Sequence, residues 1–451
     1  MSKAEAERIA DGNVRCFTLF RVFFTARFYY PVYALLFLDF GLTLEQFGIL
    51  NGIWAVTIVL SEVPSGALGD TIGRRTLLIV AGICMVVEMG VLLFAPIGGG
   101  ALLFWLFAVN RIVSGLAEAA ASGADEAITF DALQAADRAG EWGRVLERVQ
   151  RDTSLAFFVA MLTGAAVYDP QLMRTAFEWF GIDATIRQED LVKLPIALTL
   201  ISGIVVLLTA LRFREPPKAK EGAVLETLRR SWRQTFSAAR WIWLTPLPFG
   251  IILAVMALDN VIRQFLTLAS EYWKVIELPI ASYGVIGSGM ALLGLFVPRI
   301  AREMAERQSP LRNFVATFLC VFLGLLGLGF AIPYWGILPA VLIYVGMGLT
   351  NYFVSRYMNE AAPSEQRATV LSFRGLSTNV AYGTVSLLYS ALIAGIKLGA
   401  DRDDYSSDQA YQEAVFVDSL AWFPWYFLVA VGLVFLLQWL RFGGLKRGNE
   451  G

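Results

Sequence analysis

Runs of about twenty mostly apolar residues, each long enough to cross the hydrocarbon core of a bilayer as a helix, recur about twelve times along the chain. They fall near 16–39, 44–69, 76–96, 101–128, 151–168, 194–211, 246–270, 280–298, 312–332, 334–354, 368–396 and 419–440. Backbone polar groups in that core find no water, so each run must be helical. The longest polar interruption, 212–244, follows the sixth run. The expected fold is therefore an all-α integral membrane protein of twelve transmembrane helices, divided as 1–211, a cytoplasmic linker at 212–244, and 245–451.

Composition closes off other routes. The chain is 57% hydrophobic and 17% charged, whereas soluble domains average about 45–50% and about 25%. With 37 basic against 38 acidic residues there is no polyanion-binding signature, so no nucleic-acid partner is expected. Histidine is absent, which removes imidazole metal sites and histidine-based nucleophile activation. Cys16, Cys84 and Cys320 lie far apart in apolar sequence and read as small buried residues. No metal and no cofactor is expected, nor an enzyme: no P-loop, GxSxG or cysteine-rich motif is present. Met1 to Arg15 precedes the first run without a cleavage-site pattern and reads as a cytoplasmic arm. Lysine and arginine concentrate in the segments that an amino-terminus-inside topology leaves in the cytoplasm, above all Arg212, Arg214, Lys218, Lys220, Arg229, Arg230, Arg233 and Arg240. Both termini are thus expected on the cytoplasmic side of the inner membrane. Val224, Leu225, Leu228, Trp232, Phe236 and Trp243 recur at helical spacing opposite the arginines, so the linker is expected to lie along the membrane surface.

Between the second and third runs the chain reads Gly66-Ala67-Leu68-Gly69-Asp70-Thr71-Ile72-Gly73-Arg74-Arg75. Gly66 suits close helix approach, Gly73 suits a tight turn, and Asp70 at a helix end can cap amides or pair with Arg74. With Asp125, Glu126 and Asp131 as further partners for the arginines, such a loop can latch one conformation and release it in another. The segment resembles the G-x-L-x-D-R-x-G-R-R signature of the major facilitator superfamily, with Thr71 where the family has arginine. The resemblance extends through Pro31, Leu36, Gly41-Leu42, Glu62-Val63-Pro64-Ser65-Gly66 and Ser122-Gly123-Ala124-Asp125-Glu126, and its wording is similar to bacterial drug and small-metabolite permeases. Arg299 to Arg307 look like a decayed second copy of the loop. The resemblance implies two six-helix bundles around a central cavity, a fold complete as a monomer, and alternating access.

Ionisable residues within spans cost about 2.5–3.5 kcal/mol each on insertion scales, so they face the protein interior or water. Arg111, Glu118 and Asp125 are spaced by seven residues and are expected on one helix face. Arg111-Ile112-Val113-Ser114-Gly115 resembles the family's fourth-span R-x-x-Q-G motif, in which the arginine is associated with proton coupling; a purely structural ion network is the alternative. With no histidine, proton movement falls to a carboxylate: Glu118, Asp259, Glu62 or Glu88. Depth along the helices pairs Arg27 with Glu88 and Arg21 with Glu62. Arg27, Tyr29 and Tyr30 are candidates for substrate contact, or the ion pairs merely neutralise each other. Asp259, Asn260, Arg263 and Gln264 form a polar stripe on span seven, and Asn351 and Asn379 are weaker cavity candidates.

The expected function is secondary active transport of a small molecule, coupled to protons or another ion, with export as the leading direction. Import, symport or uniport stays open, because the fifth span between Leu155 and Asp169 lacks the family's antiporter motif G-x-x-x-G-P-x-x-G-G and offers only Gly164. A non-transporting receptor or a lipid-moving protein with the same fold is the other class, with the outer segment 169–193 as a polar surface for partners.

Overall fold

The computed structural model describes residues 2–183, 185–215, 224–362 and 367–443; the side chains at 70, 224, 295, 367, 368 and 371 lie outside the description, as do Lys218 and Lys220. All regular structure among the described residues is helical: α1 (Lys3–Thr25), α2 (Tyr33–Asp39), α3 (Leu44–Thr71), α4 (Arg74–Phe94), α5 (Ala101–Ala121), α6 (Ala124–Ala135), α7 (Trp142–Tyr168), α8 (Pro170–Trp179), α9 (Gln188–Leu191), α10 (Leu194–Ala210), α11 (Val224–Leu244), α12 (Pro246–Val275), α13 (Ile280–Arg307), α14 (Pro310–Leu328), α15 (Ile337–Ala361), α16 (Arg367–Gly399) and α17 (Asp408–Phe442), with short 3₁₀ turns. The chain forms two compact units: Met1–Thr43, Ile53–Trp232 and Pro279–Ser288 in the first, Leu44–Gly52, Arg233–Leu278 and Gly289–Gly451 in the second.

Among the described residues ten stretches are long and apolar enough to span a membrane, and eleven if the bent pair formed by α7 and α8 counts as one. Among the described residues the expected twelve spans are thus matched by ten or eleven. The first expected run, 16–39, is instead α1 and α2 separated by irregular backbone at Ala26–Tyr29 and a 3₁₀ turn at Tyr30–Val32. Burial on these helices is one-sided. Phe94, Leu102, Trp105 and Leu60 are among the most exposed large apolar side chains, which suits helices solvated by lipid rather than water.

Several expectations need correction here. Residues 2–15 are not an arm, because α1 begins at Lys3 behind a Ser2 cap whose hydroxyl accepts from the Glu5 amide. Ala6, Ile9, Ala10 and Asn13 are buried in the core of the first unit with Leu78, Ala81, Ile128 and Leu133. The fourth run is two helices, because Gly123 with φ +71° ends α5 and starts α6. Arg299–Arg307 are not a loop: they form the last turns of α13, with Arg302 and Glu306 3.9 Å apart one turn on, and the connection to α14 is only Gln308–Ser309. The middle segment does contain one helix, α11, with Leu225, Phe236 and Trp243 exposed and Ala238 and Ile242 buried.

The start of the segment after α10 is fastened to the first unit. Asn13 uses its amide as a backbone mimic, donating from Nδ2 to the Arg214 carbonyl at 2.8 Å and accepting from the Arg214 amide at 3.0 Å. At 1% exposure an unpartnered amide would cost about 1–3 kcal/mol, so the pairing is what permits its burial.

Candidate functional site

The first unit builds a charged cluster around the irregular backbone between α1 and α2. Beyond Thr25 the backbone leaves the helix, and the Phe28 amide, which has lost its helical acceptor, donates to Thr199 Oγ1 of α10 at 3.0 Å. Thr199 is fully buried and donates in turn to the Pro195 carbonyl at 2.8 Å. Gly164 of α7 makes room for the irregular segment: a Cβ there would sit 1.8 Å from the Phe28 carbonyl oxygen. Irregular backbone at membrane depth survives only where protein or water satisfies it, and here protein does so.

Arg27 stands in that interruption at 2% exposure. Its Nη1 lies 2.5 Å from Glu88 Oε1 of α4 and its Nη2 lies 3.2 Å from Glu118 Oε1 of α5. Nη1 also donates to the Tyr29 hydroxyl at 3.3 Å. The two carboxylates differ. The Glu88 side chain is fully buried, whereas that of Glu118 is 35% exposed. One cation between two carboxylates leaves the trio at a formal charge of −1, and a proton arriving at the half-open Glu118 would bring it to zero. Asn110 braces α4 by donating to the Glu88 carbonyl at 2.8 Å.

Arg111 lies on the same helix as Glu118 but has different partners. Its guanidinium donates to the Tyr33 hydroxyl and, at 3.3 Å, to Ser114 Oγ, with the rings of Tyr33, Phe37 and Trp54 within 5.7–5.9 Å. The ring of Tyr29 packs on those of Tyr30 and Tyr33, and Tyr30 is 39% exposed. Asp125 lies just beyond the break at Ser122–Gly123, in the first turn of α6. There it pairs with Arg21, which also meets Glu126 at 3.0 Å. The expected Arg21–Glu62 pair is therefore absent; Glu62 is half-buried on α3, its carbonyl accepting from Ser65 Oγ at 2.9 Å.

At the loop between α3 and α4, Gly73 adopts φ +100° and Arg74 opens α4. Glu215 caps that helix, its Oε1 accepting from the Arg74 amide at 2.9 Å, and a Cβ on Gly73 would strike the same carboxylate at 2.5 Å. Arg74 pairs with Asp131 at 2.7 Å, and Arg75 donates to the Leu211 carbonyl at 2.9 Å. Of the three acidic partners expected for these arginines, Asp131 is thus the one that pairs with Arg74, while Asp125 and Glu126 pair with Arg21. Gly66 is exposed, and a Cβ there would meet nothing within 4 Å, so close helix approach is not its service in this conformation. The Asp70 side chain lies outside the described residues.

The second unit carries the other polar group. Asp259 and Arg263 of α12 pair at 2.6 Å, Arg263 donates to Asn379 Oδ1 of α16 at 2.8 Å, and its guanidinium lies 5.1 Å from the centre of the Tyr382 ring. Gln264, 1% exposed, accepts from Ser386 Oγ at 3.0 Å, and Asn260 accepts from the Tyr426 hydroxyl at 3.2 Å. Asn351 is exposed on α15 and joins neither group. Among the described residues no set of three or more His, Cys, Asp and Glu side chains is placed to hold a metal ion.

Sequence reasoning missed Thr199, Asn110 and the packing role of Gly164 in the first cluster, and Asn13 and Glu215 as the fasteners below it. Thr199, Asn110, Asn13 and Glu215 each bond to backbone of a distant segment, and Gly164 acts through an absence; neither kind of role leaves a spacing or period to read.

A family model described as Major Facilitator Superfamily matches residues 16–386. The chain belongs to the major facilitator superfamily. Solved superfamily transporters share its fold. The crystal structure of the nucleoside transporter NupG superposes with a TM-score of 0.64 at 10% identity, covering 95% of this chain and 98% of that one. A bacterial homologue of the human lysosomal transporter Spinster, inward-facing and unoccupied, gives 0.64 at 15% identity over 97% and 98%. The D-xylose-proton symporter gives 0.62 at 13% identity over 94% and 97%. No curated protein sequence matches. This superfamily chain is thus a multi-span membrane transporter by family, and identities this low speak for the fold alone.

Proposed function

We propose that this chain is a proton-coupled secondary transporter that exports a small molecule across the cytoplasmic membrane by alternating access. The observation that carries the reading is the Arg27–Glu88–Glu118 trio. A coupling carboxylate must gain and lose a proton without stranding a buried charge. Glu118 meets that condition, because Arg27 keeps Glu88 as its neutralising partner when Glu118 is protonated. Arg111, held among aromatic rings on the same helix, is the second coupling residue. Tyr29, Tyr30 and the Asp259–Arg263–Asn379 group with Asn260 and Gln264 are the substrate-contacting candidates, and the loop carrying Gly73, Arg74 and Arg75 is the latch. The protein works as a monomer with both termini cytoplasmic, the halves 1–211 and 245–451 joined by the segment 212–244.

Export rests on the first-half wording that resembles drug and small-metabolite permeases. Proton-coupled import is the second reading, favoured by α7, where Gly164 seats the Phe28 carbonyl and no antiporter glycine-proline motif accompanies it.

Proteoliposomes with an imposed pH gradient test the proposal. Pools of cationic, anionic and zwitterionic compounds are added while internal pH is followed. Proton movement should be elicited by one pool and lost in Glu118→Gln. Equal movement in the variant would remove Glu118 from the coupling path, and the direction of substrate flux decides between export and import.

A further inference from the structure

Segment 169–193, expected to be a polar surface, contains a helix of a different kind. α8 leaves α7 at an angle of 84° with only Asp169 between them. At 3.6 residues per turn, Leu172, Met173, Ala176, Phe177, Trp179 and Phe180 fall on one arc, and Gln171, Arg174, Thr175 and Glu178 on the other. In a soluble protein such an apolar arc would be buried, yet α8 has no buried residue. Trp179 is 84% exposed and Phe180 82%.

We infer that α8 is an in-plane anchor whose apolar arc lies in the headgroup–acyl boundary of the bilayer leaflet at the carboxyl end of α7. Three observations commit it to lipid. The helix it leaves carries large apolar side chains in the open as well, since Leu155, Phe158 and Val159 of α7 are exposed. A helix turned through 84° from a spanning helix runs along the bilayer surface rather than through it. Its composition, tryptophan and phenylalanine facing a charged arc, is that of interfacial helices. The corner is also rigid. Asp169, 6% exposed, caps α8 by accepting from the Gln171 and Leu172 amides at 2.8 and 3.0 Å through Oδ1, while Oδ2 accepts from the Ala281 amide at the start of α13 at 2.9 Å. Residues 169 and 281 both belong to the first unit, so lipid held by α8 fixes the depth of the α7 end and the α13 start together.

The test is a nitroxide scan of positions 171–180, one cysteine at a time, in full-length protein whose Cys16, Cys84 and Cys320 are replaced by alanine, reconstituted in phosphatidylethanolamine–phosphatidylglycerol vesicles. Collision with oxygen should dominate at 172, 173, 176, 177, 179 and 180, and collision with a water-soluble nickel chelate at 171, 174, 175 and 178. Nickel access at every position would overturn the anchor in favour of a solvated helix. Oxygen access at every position would mean a re-entrant segment, and access at neither reagent's end a covering protein or second copy; both also overturn it. Should the cysteine-free protein fail to fold, quenching by lipids brominated on the upper acyl chain compares native protein with Trp179→Phe. Loss of a quenched component in the variant supports the anchor, and an unchanged quenched fraction refutes it.

Discussion

Glu88 is the side chain on which the first unit has the most at stake, because it is fully buried and Arg27 is the cation beside it. Removing one partner of a buried ion pair costs about 3–5 kcal/mol, chiefly through the charge left behind. Arg27→Ala is therefore expected to destabilise the protein by about that amount, and adding Glu88→Gln should recover most of the loss. Thermal unfolding in detergent reads both, and an unchanged melting temperature in the single variant would remove the pair from the structure's support. This pairing was legible in the sequence because both residues lie at similar depth on their spans. The Arg21–Glu62 pair, proposed on the same ground, fails because depth says nothing about which helices are neighbours. Asp125 and Glu126 on α6 stand nearer in space to Arg21 than sequence depth implied.

At the scale of single helices, most spans were visible as apolar runs, and their interruptions were not. The break in the first span sits inside apolar sequence and is stabilised from elsewhere, by Thr199 on α10 and Gly164 on α7. Gly164→Ala would place a methyl group 1.8 Å from the Phe28 carbonyl oxygen, closer than any relaxation of a side chain can relieve. It is expected to lower folded yield sharply in a size-exclusion assay. Thr199→Val keeps the volume but strands the Phe28 amide, for a cost of about 1–3 kcal/mol in the unfolding measurement. If both variants behave as native, the irregular segment is not what these residues serve. The polar stripe of α12 was legible for the opposite reason: charges in a span announce themselves, and Asp259, Asn260, Arg263 and Gln264 all find polar or aromatic neighbours on α12, α16 or α17.

For the whole transporter, coupling and exchange are separable properties. Arg111→Ala is expected to abolish uphill, gradient-driven accumulation while sparing exchange of labelled for unlabelled substrate at equal concentrations; full accumulation in the variant would end its coupling role. The family could be read from one loop and the all-helical membrane character from the recurrence of apolar runs, though not their number, whereas substrate recognition depends on which side chains converge and left no such signature. The discontinuous first span also bears on how the chain is made. Arg27 emerges from the ribosome before either carboxylate that neutralises it, since Glu88 lies on α4 and Glu118 on α5. A nascent chain ending after α2 must place that arginine in lipid alone, at a cost of about 2.5–3.5 kcal/mol, and with a helix too broken to span well. Stable integration of the first segment should therefore wait for the third and fourth runs. In a cell-free translocation assay, truncation after residue 43 should give poor membrane integration, and truncation after residue 121 efficient integration that Glu88→Ala reduces. Biogenesis of this protein is then a matter of late commitment, with its first hydrophobic segment retained at the translocation channel until its counter-charges are synthesised.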